Sequence, residues 1–292
     1  MDQPLIYTLL VVIGLIMGSY SGALVWRLRA RQLIEDKAAG EKVDKKEYEK
    51  LIPLRETTGL QDRSRCLHCG HELAWYDLLP LVSWASTGGK CRYCRKPIGV
   101  FEPLMELGMA AFFVVSYIFW PISLHDPFEV VHFLLWLVAG VLLITLFAYD
   151  TKWYLLPNRI VFPLIAVAAV VALLSVISKH DIPAALLSLC LSVAILSGLY
   201  FLLWIASKGA WVGFGDVKLG LALALLLGQW QLAFLALFAA NLIGCLVVLP
   251  GMLTGKIKRT SRIPFGPLLI VGAILTMLWG PSVIQWYFMT FA

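Results

Sequence analysis

Two aspartates in an otherwise apolar chain carry the first chemical signal: Asp150 in FAYDTKWYLLPNR and Asp216 in WVGFGDVKLG. An ionisable side chain at the edge of a membrane-length run is costly to hold, so it is a functional candidate. Taken singly, each has a plain structural reading, Asp216 as a helix N-cap and Asp150 as a boundary residue reaching into headgroups. Taken together, two carboxylates sharing a proton can hydrolyse a peptide, one activating water while the other protonates or polarises the carbonyl. Gly213 and Gly215 suit such a site, because a residue without Cβ permits unusual backbone angles and close approach of a substrate strand.

The cysteines make a second constellation. Cys66 and Cys69 in CLHC, and Cys91 and Cys94 in CRYC, are two C-x-x-C pairs separated by 21 residues. Four thiolates so spaced satisfy the tetrahedral preference of Zn2+, and a site closed in this way is structural, because catalytic zinc keeps a position open. The surrounding loop has little apolar content, so zinc would supply folding energy that a core cannot. Disulfides are the alternative, and the cytoplasmic placement argued below disfavours them. His68 and His71 read as bystanders to the first pair. Cys190 and Cys245, within apolar runs, read as small buried hydrophobes.

The elements that must position these groups are membrane helices. Of 292 residues, 60% are hydrophobic and 14% charged, whereas soluble domains carry about 25% charged residues. Apolar segments fall near 5–26, 103–121, 128–149, 160–178, 183–206, 213–230, 231–252 and 265–288, most of them close to the ~20 residues of a spanning helix. The expected fold is an all-α polytopic membrane protein of about eight transmembrane helices, with seven as the fallback, and a small zinc-stapled domain in the first loop. The domains are a first helix at 1–27, a loop domain at 28–101 and a membrane core at 102–292. The charged stretch 31–51 reads as a solvated helix or a mobile insert.

Cytoplasmic loops retain Lys and Arg, which fixes orientation. Residues 27–100 hold 15 of the 24 basic residues. Alternate connections repeat the bias, with Lys152 and Arg159, then Lys208 and Lys218, then Lys256, Lys258, Arg259 and Arg262. An even number of spans then places both termini outside, and the large loop and both aspartates on the cytoplasmic side. The net charge of +6 needs no nucleic acid, since these basic loops face anionic lipid. The first span is an anchor rather than a cleaved signal, because no positive charge precedes it and Arg27 follows it.

At this level of detail the chain resembles the bacterial type IV prepilin peptidases, bifunctional leader peptidases and N-methyltransferases of the GxGD aspartic class. The resemblance covers nearly the whole chain: GSYSGALVWRL (18–28), the paired C-x-x-C knuckles, WYDLLPLVSW (75–84), IGVFEPLMEL (98–107), the Asp150 segment, GFGDVKLG (213–220) and IPFGPLL (263–269). It implies a catalytic pair of Asp150 and Asp216, with Gly213, Gly215 and Lys218 in the active-site motif. It also implies prepilin or pseudopilin substrates cut after a glycine that ends a short basic leader, methylation of the new amino terminus from S-adenosylmethionine, and residence in the bacterial inner membrane. Two positions depart from the family pattern, Gly22 where Asn is frequent and Asn158 where Asp is frequent.

Three readings stay open. Glu106 is a candidate contact for the substrate amine or the methyl donor, or else a helix-boundary acid packed against a base. Pro264, Phe265 and Gly266 either shape a substrate groove or form a tight turn at a helix start. Helix polarity would make Asp216 the carboxylate and Asp150 the protonated partner, if each is governed by its own helix end. A presenilin-like intramembrane protease and a non-enzymatic zinc-bearing scaffold are the alternative functions, and oligomeric state is unspecified.

Overall fold

The computed structural model describes residues 3–55, 63–255 and 263–291. The basic residues Lys256, Lys258, Arg259 and Arg262, which contributed to the orientation, lie outside these residues. Helices dominate, and among the described residues the only extended pairing is two isolated bridges, Arg65 with Glu72 and Lys90 with Pro97. The chain divides into two compact units, Met1–Val115 and Ser116–Ala292.

The first unit opens with α1 (Gln3–Ala38), about 54 Å long at 1.5 Å per residue. It continues past the expected end of the span because RLRARQLIEDKA is rich in strong helix formers. A short α2 (Lys45–Leu51) follows, its N-terminus capped by Asp44, which accepts the Glu47 N–H at 2.8 Å. This helix returns against α1. Arg29 donates to both carboxylate oxygens of Glu47 at 3.1 and 2.7 Å, Lys37 lies over the Tyr48 ring, and Ala30, Leu33 and Leu51 form a small core. The charged stretch is thus an ordered helical hairpin with an apolar seam.

After a one-turn α3 (Val82–Ser86), α4 (Phe101–Ile118) packs on α1 at backbone contact. A Cβ on Gly14 would fall 2.6 Å from Ala110 Cα, and one on Gly18 2.5 Å from Glu106 Cα. These two glycines form a G-x-x-x-G stripe, which lets membrane helices approach without intervening side chains. Gly22, one turn on, has ordinary room, its nearest neighbour being the Met105 side chain at 3.9 Å.

The second unit contains α5 (Pro127–Trp153), α6 (Asn158–Ile177), α7 (Ile182–Val193), α8 (Leu199–Ser207), α9 (Phe214–Leu227), α10 (Trp230–Leu253) and α11 (Phe265–Phe291). A π turn at Ala194–Gly198 joins α7 to α8, so that 182–207 is one continuous span. Seven helices among the described residues are long and apolar enough to cross a membrane. The eighth expected span is α9, whose 14 residues reach only about 21 Å against a ~30 Å hydrocarbon core. It is also the innermost helix, packed against α6, α7, the π turn, α8, α10 and α11, and buried from Val217 to Leu227 at most positions. Surrounded by protein, it is spared the length that lipid imposes. Large apolar side chains such as Phe234, Phe238, Leu246 and Val247 point outward, as lipid-facing residues of a multi-pass membrane protein do. Cys190 and Cys245 are exposed, not buried as expected. The apolar runs that hold them meet lipid on that face, and periodicity inside a uniformly greasy span does not distinguish the two.

Candidate active site

Asp150 sits in the last turn of α5 and is 5% exposed. Its backbone carbonyl accepts the N–H of Tyr154, the left-handed residue that ends the helix. Its carboxylate accepts the N–H of Gly266. Gly266 is the second residue of α11, where the N–H has no intrahelical partner and the helix start is partially positive. A Cβ on Gly266 would lie 2.5 Å from Asp150 Oδ2, so a larger residue there would displace that carboxylate. IPFGP is therefore a helix start whose second residue seats an aspartate. Phe265 beside it packs on Tyr200 at 5.5 Å between ring centroids, Pro264 precedes the helix, and Pro267 occupies its first turn, where a missing N–H costs nothing.

Asp216 is the third residue of α9, not its N-cap; the N-cap is Gly213. The Asp216 N–H donates to Gly213 O at 3.1 Å, while its carboxylate reaches back to the Gly213 N–H, one half of a capping box. Both carboxylates thus rest on glycine N–H groups at helix starts, which removes the asymmetry expected from the ends of their own helices. Leu156 lies between them, its side chain 3.1 Å from the position of a Cβ on Gly215 and 3.6 Å from that on Gly266. Asp216 is within electrostatic reach of Asp150, and of Tyr200.

The π turn fixes where α9 lies. A Cβ on Gly220 would be 2.3 Å from Leu196 O, and the hydroxyls of Ser197 and Ser192 donate to the α9 carbonyls Val217 O and Ala224 O, each at 3.0 Å. A helix interrupted by a π turn frees local backbone geometry and is frequent near functional sites. Lys218, on α9, donates to Asn158 Oδ1 at 2.7 Å and lies over the rings of Phe162 and Phe214. Its place is at the α6–α9 junction, where Asn158 supplies a neutral acceptor. Tyr200 had no sequence signal, since it lies inside an apolar span with nothing local to mark it.

In the first unit, Cys66, Cys69, Cys91 and Cys94 bring their sulfurs within 4.8 Å of one another, with Cys66 and Cys94 at 3.9 Å. Tetrahedral zinc with ~2.3 Å bonds sets sulfurs about 3.8 Å apart, so the set fits the ion. The two knuckles are near copies. Gly70 and Arg95 turn back with positive φ and donate to Cys66 O and Cys91 O, each at 2.9 Å. His71 packs at a tilt against the Tyr93 ring and does not join the cluster. Burial pushes the Cys66 thiol up to about 12; at Cys91 burial also raises it, but the Cys94 and Tyr93 N–H groups and the neighbouring thiols bring it to about 7. Zinc must displace such protons, so its retention weakens as pH falls. Asp77 braces the second knuckle, accepting from Arg92 Nε and from the Tyr93 hydroxyl, each at 2.9 Å. Burial opposes the Asp77 charge, yet these donors outweigh it and hold the carboxyl below its ordinary value.

Glu106 is 6% exposed, and its carboxylate accepts the Leu81 N–H at 2.8 Å and the Ser19 hydroxyl. Its partners are thus neutral donors, not the base expected of a boundary acid.

The profile described as Bacterial Peptidase A24 N-terminal domain matches residues 12–120, and that of the Type IV leader peptidase family matches 137–249. A prepilin leader peptidase/N-methyltransferase of Bacillus subtilis is 33% identical over 237 residues, covering 81% of this chain and 89% of that protein. Proteins of the same name from Pseudomonas aeruginosa and Dichelobacter nodosus are each 28% identical across 98% of this chain, covering 95% and 96% of their own lengths. No solved structure matches the chain significantly. The glycine-seated aspartates and the four-cysteine cluster thus lie within matches that span almost the entire sequence, and the chain belongs to the type IV leader peptidase family, as a bifunctional peptidase.

Proposed function

We propose that Asp150 and Asp216 form the aspartyl dyad that removes the short leader of a prepilin or pseudopilin after a glycine on the cytoplasmic side of the inner membrane. One carboxylate takes a proton from water as its oxygen attacks the scissile carbonyl, and the other protonates the carbonyl oxygen. Collapse of the tetrahedral intermediate breaks the C–N bond, and the amine leaves with a proton from the dyad. The observation that carries this reading is the seating of both carboxylates on glycine N–H groups around Leu156. Gly213, Gly215 and Lys218 shape the approach to Asp216, and Pro264, Phe265 and Gly266 that to Asp150. The substrate's apolar helix enters from the bilayer while its basic leader stays among the basic loops.

The new amino terminus is then methylated: S-adenosylmethionine would supply the electrophilic methyl carbon, its S–C bond breaking so that S-adenosylhomocysteine leaves while the amine gives up a proton. Glu106 belongs to this second activity, beside the amine or the donor. Zinc on Cys66, Cys69, Cys91 and Cys94 supplies folding energy to the loop and takes no part in either reaction.

Mass spectrometry of a glycine-leader prepilin peptide incubated with the purified protein and S-adenosylmethionine tests the proposal. Wild type is expected to give the shortened, methylated product, and Asp150→Asn and Asp216→Asn to leave the peptide intact. Cleavage surviving in either folded variant would remove the dyad, and no processing of any pilin substrate by wild type would favour the scaffold.

A further inference from the structure

A cavity of about 310 Å³ opens in the first unit, walled by α1, the zinc-knuckle segment and the start of α4. Small-molecule sites begin at about this size. Two carboxylates line it one helical turn apart, Glu102 and Glu106. Glu106 is satisfied by Leu81 and Ser19. Glu102 is half satisfied: Oε1 accepts Trp26 Nε1–H at 3.1 Å, while Oε2 is buried and, among the described residues, has no hydrogen-bond partner. A buried carboxylate oxygen left unpaired is costly, which points to a donor from outside the chain.

The rest of the wall limits what that donor can be. Lys50, Lys90 and Arg27 bring positive charge, beside Arg65 and Arg92, which pair with Glu72 and Asp77, and Trp26 and Trp84 bring indole surface to the same cavity. A ligand with an ammonium group for Glu102, a carboxylate for a lysine and a flat heteroaromatic part for the indoles matches all three. Resting on the N-methyltransferase reading above, we infer that this cavity is the methyl-donor pocket and holds S-adenosylmethionine with its α-ammonium on Glu102.

Equilibrium binding to the full-length, zinc-loaded protein in detergent tests this with two probes. S-Adenosylhomocysteine keeps the amino-acid end, and 5′-methylthioadenosine lacks it. Glu102→Gln should weaken the first about tenfold, the scale of one hydrogen bond to a charged group, and the second less than twofold. Ala23→Leu, which adds bulk to the cavity wall without changing a charge, should weaken both. Zinc content and helical circular dichroism check that each variant is folded. Unchanged binding in both folded variants, or equal loss of the two probes in Glu102→Gln, would place the donor elsewhere. A wild type that cleaves leaders but binds neither probe would sink the methylation reading itself, not merely its location.

Discussion

At the scale of single residues, the contact with the sharpest consequence is Gly266 against Asp150. Alanine there would put a methyl group 2.5 Å from Asp150 Oδ2 and displace the carboxylate from the helix start that seats it. Because a misplacement of about 1 Å at a reacting group costs roughly 100-fold in rate, Gly266→Ala is expected to lower leader cleavage at least that much while Tm falls only modestly. Near-wild-type cleavage would show that Asp150 does not need this seat. Asp77 gives a second test. Its carboxyl is held below the ordinary value of 3.8, so its contribution is fully present above that value, including at neutral pH, and is lost as pH falls below it. Asp77→Asn should therefore release zinc to a chelator about tenfold faster at pH 7, and equal rates would exclude Asp77 as a brace. Legibility at this scale followed chemical type. Acids in greasy runs and C-x-x-C pairs announce themselves, whereas Gly266 was visible only as part of a motif open to two readings, and Tyr200 and Glu102 became notable only through what surrounds them.

Helices were more legible than the contacts between them. All eight apolar segments became helices with ends within a few residues, except that α1 runs on to Ala38, carried by strong helix formers and by its packing on α2. What hydropathy could not show is where backbones touch, since lipid-facing and helix-facing sides are equally apolar. Gly14 and Gly18 stand in the sequence at G-x-x-x-G spacing, yet that spacing is common and only the packing of α4 gives it meaning. The π turn at Ala194–Gly198 has no local sequence breaker sufficient to announce it; it accommodates Gly220 on α9. These contacts sort glycines into those that tolerate a side chain and those that do not. A Cβ on Gly220 meets a backbone oxygen at 2.3 Å, so Gly220→Ala should destabilise the folded protein by about 1–3 kcal/mol, the cost of overpacking, and reduce cleavage by tilting α9. Gly22→Ala meets only a flexible side chain at 3.9 Å and should stay within about 0.5 kcal/mol of wild type. Thermal inactivation in detergent compares the two; equal sensitivity would mean that α9 is not held by the π turn.

For the molecule as a whole, the number of crossings hinges on α9, which is too short for lipid yet central in its unit. The Asp150 contact decides it. Asp150 lies at the end of α5 and accepts the N–H of Gly266 at the start of α11, so those two helix ends share a face. Leu156, just after α5, touches Gly215, so α9 starts at that face as well. Between the start of α9 and the start of α11 lies one further helix, α10, whose 24 residues cross fully. If α10 carries the chain back to the face of Asp150, α9 must already have taken it to the other side. On that condition the short helix completes a crossing and α11 leaves the Asp150 face. Positive-inside charge predicts a cytoplasmic basic loop, and an even number of crossings predicts an outside C-terminus, so a cysteine placed at Lys42 should react with a membrane-impermeant maleimide only in inside-out vesicles, and one at Thr290 only in right-side-out cells. Labelling of both positions from the same side would mean that α9 turns back within the membrane, and it would separate Gly266 from Asp150 across the bilayer.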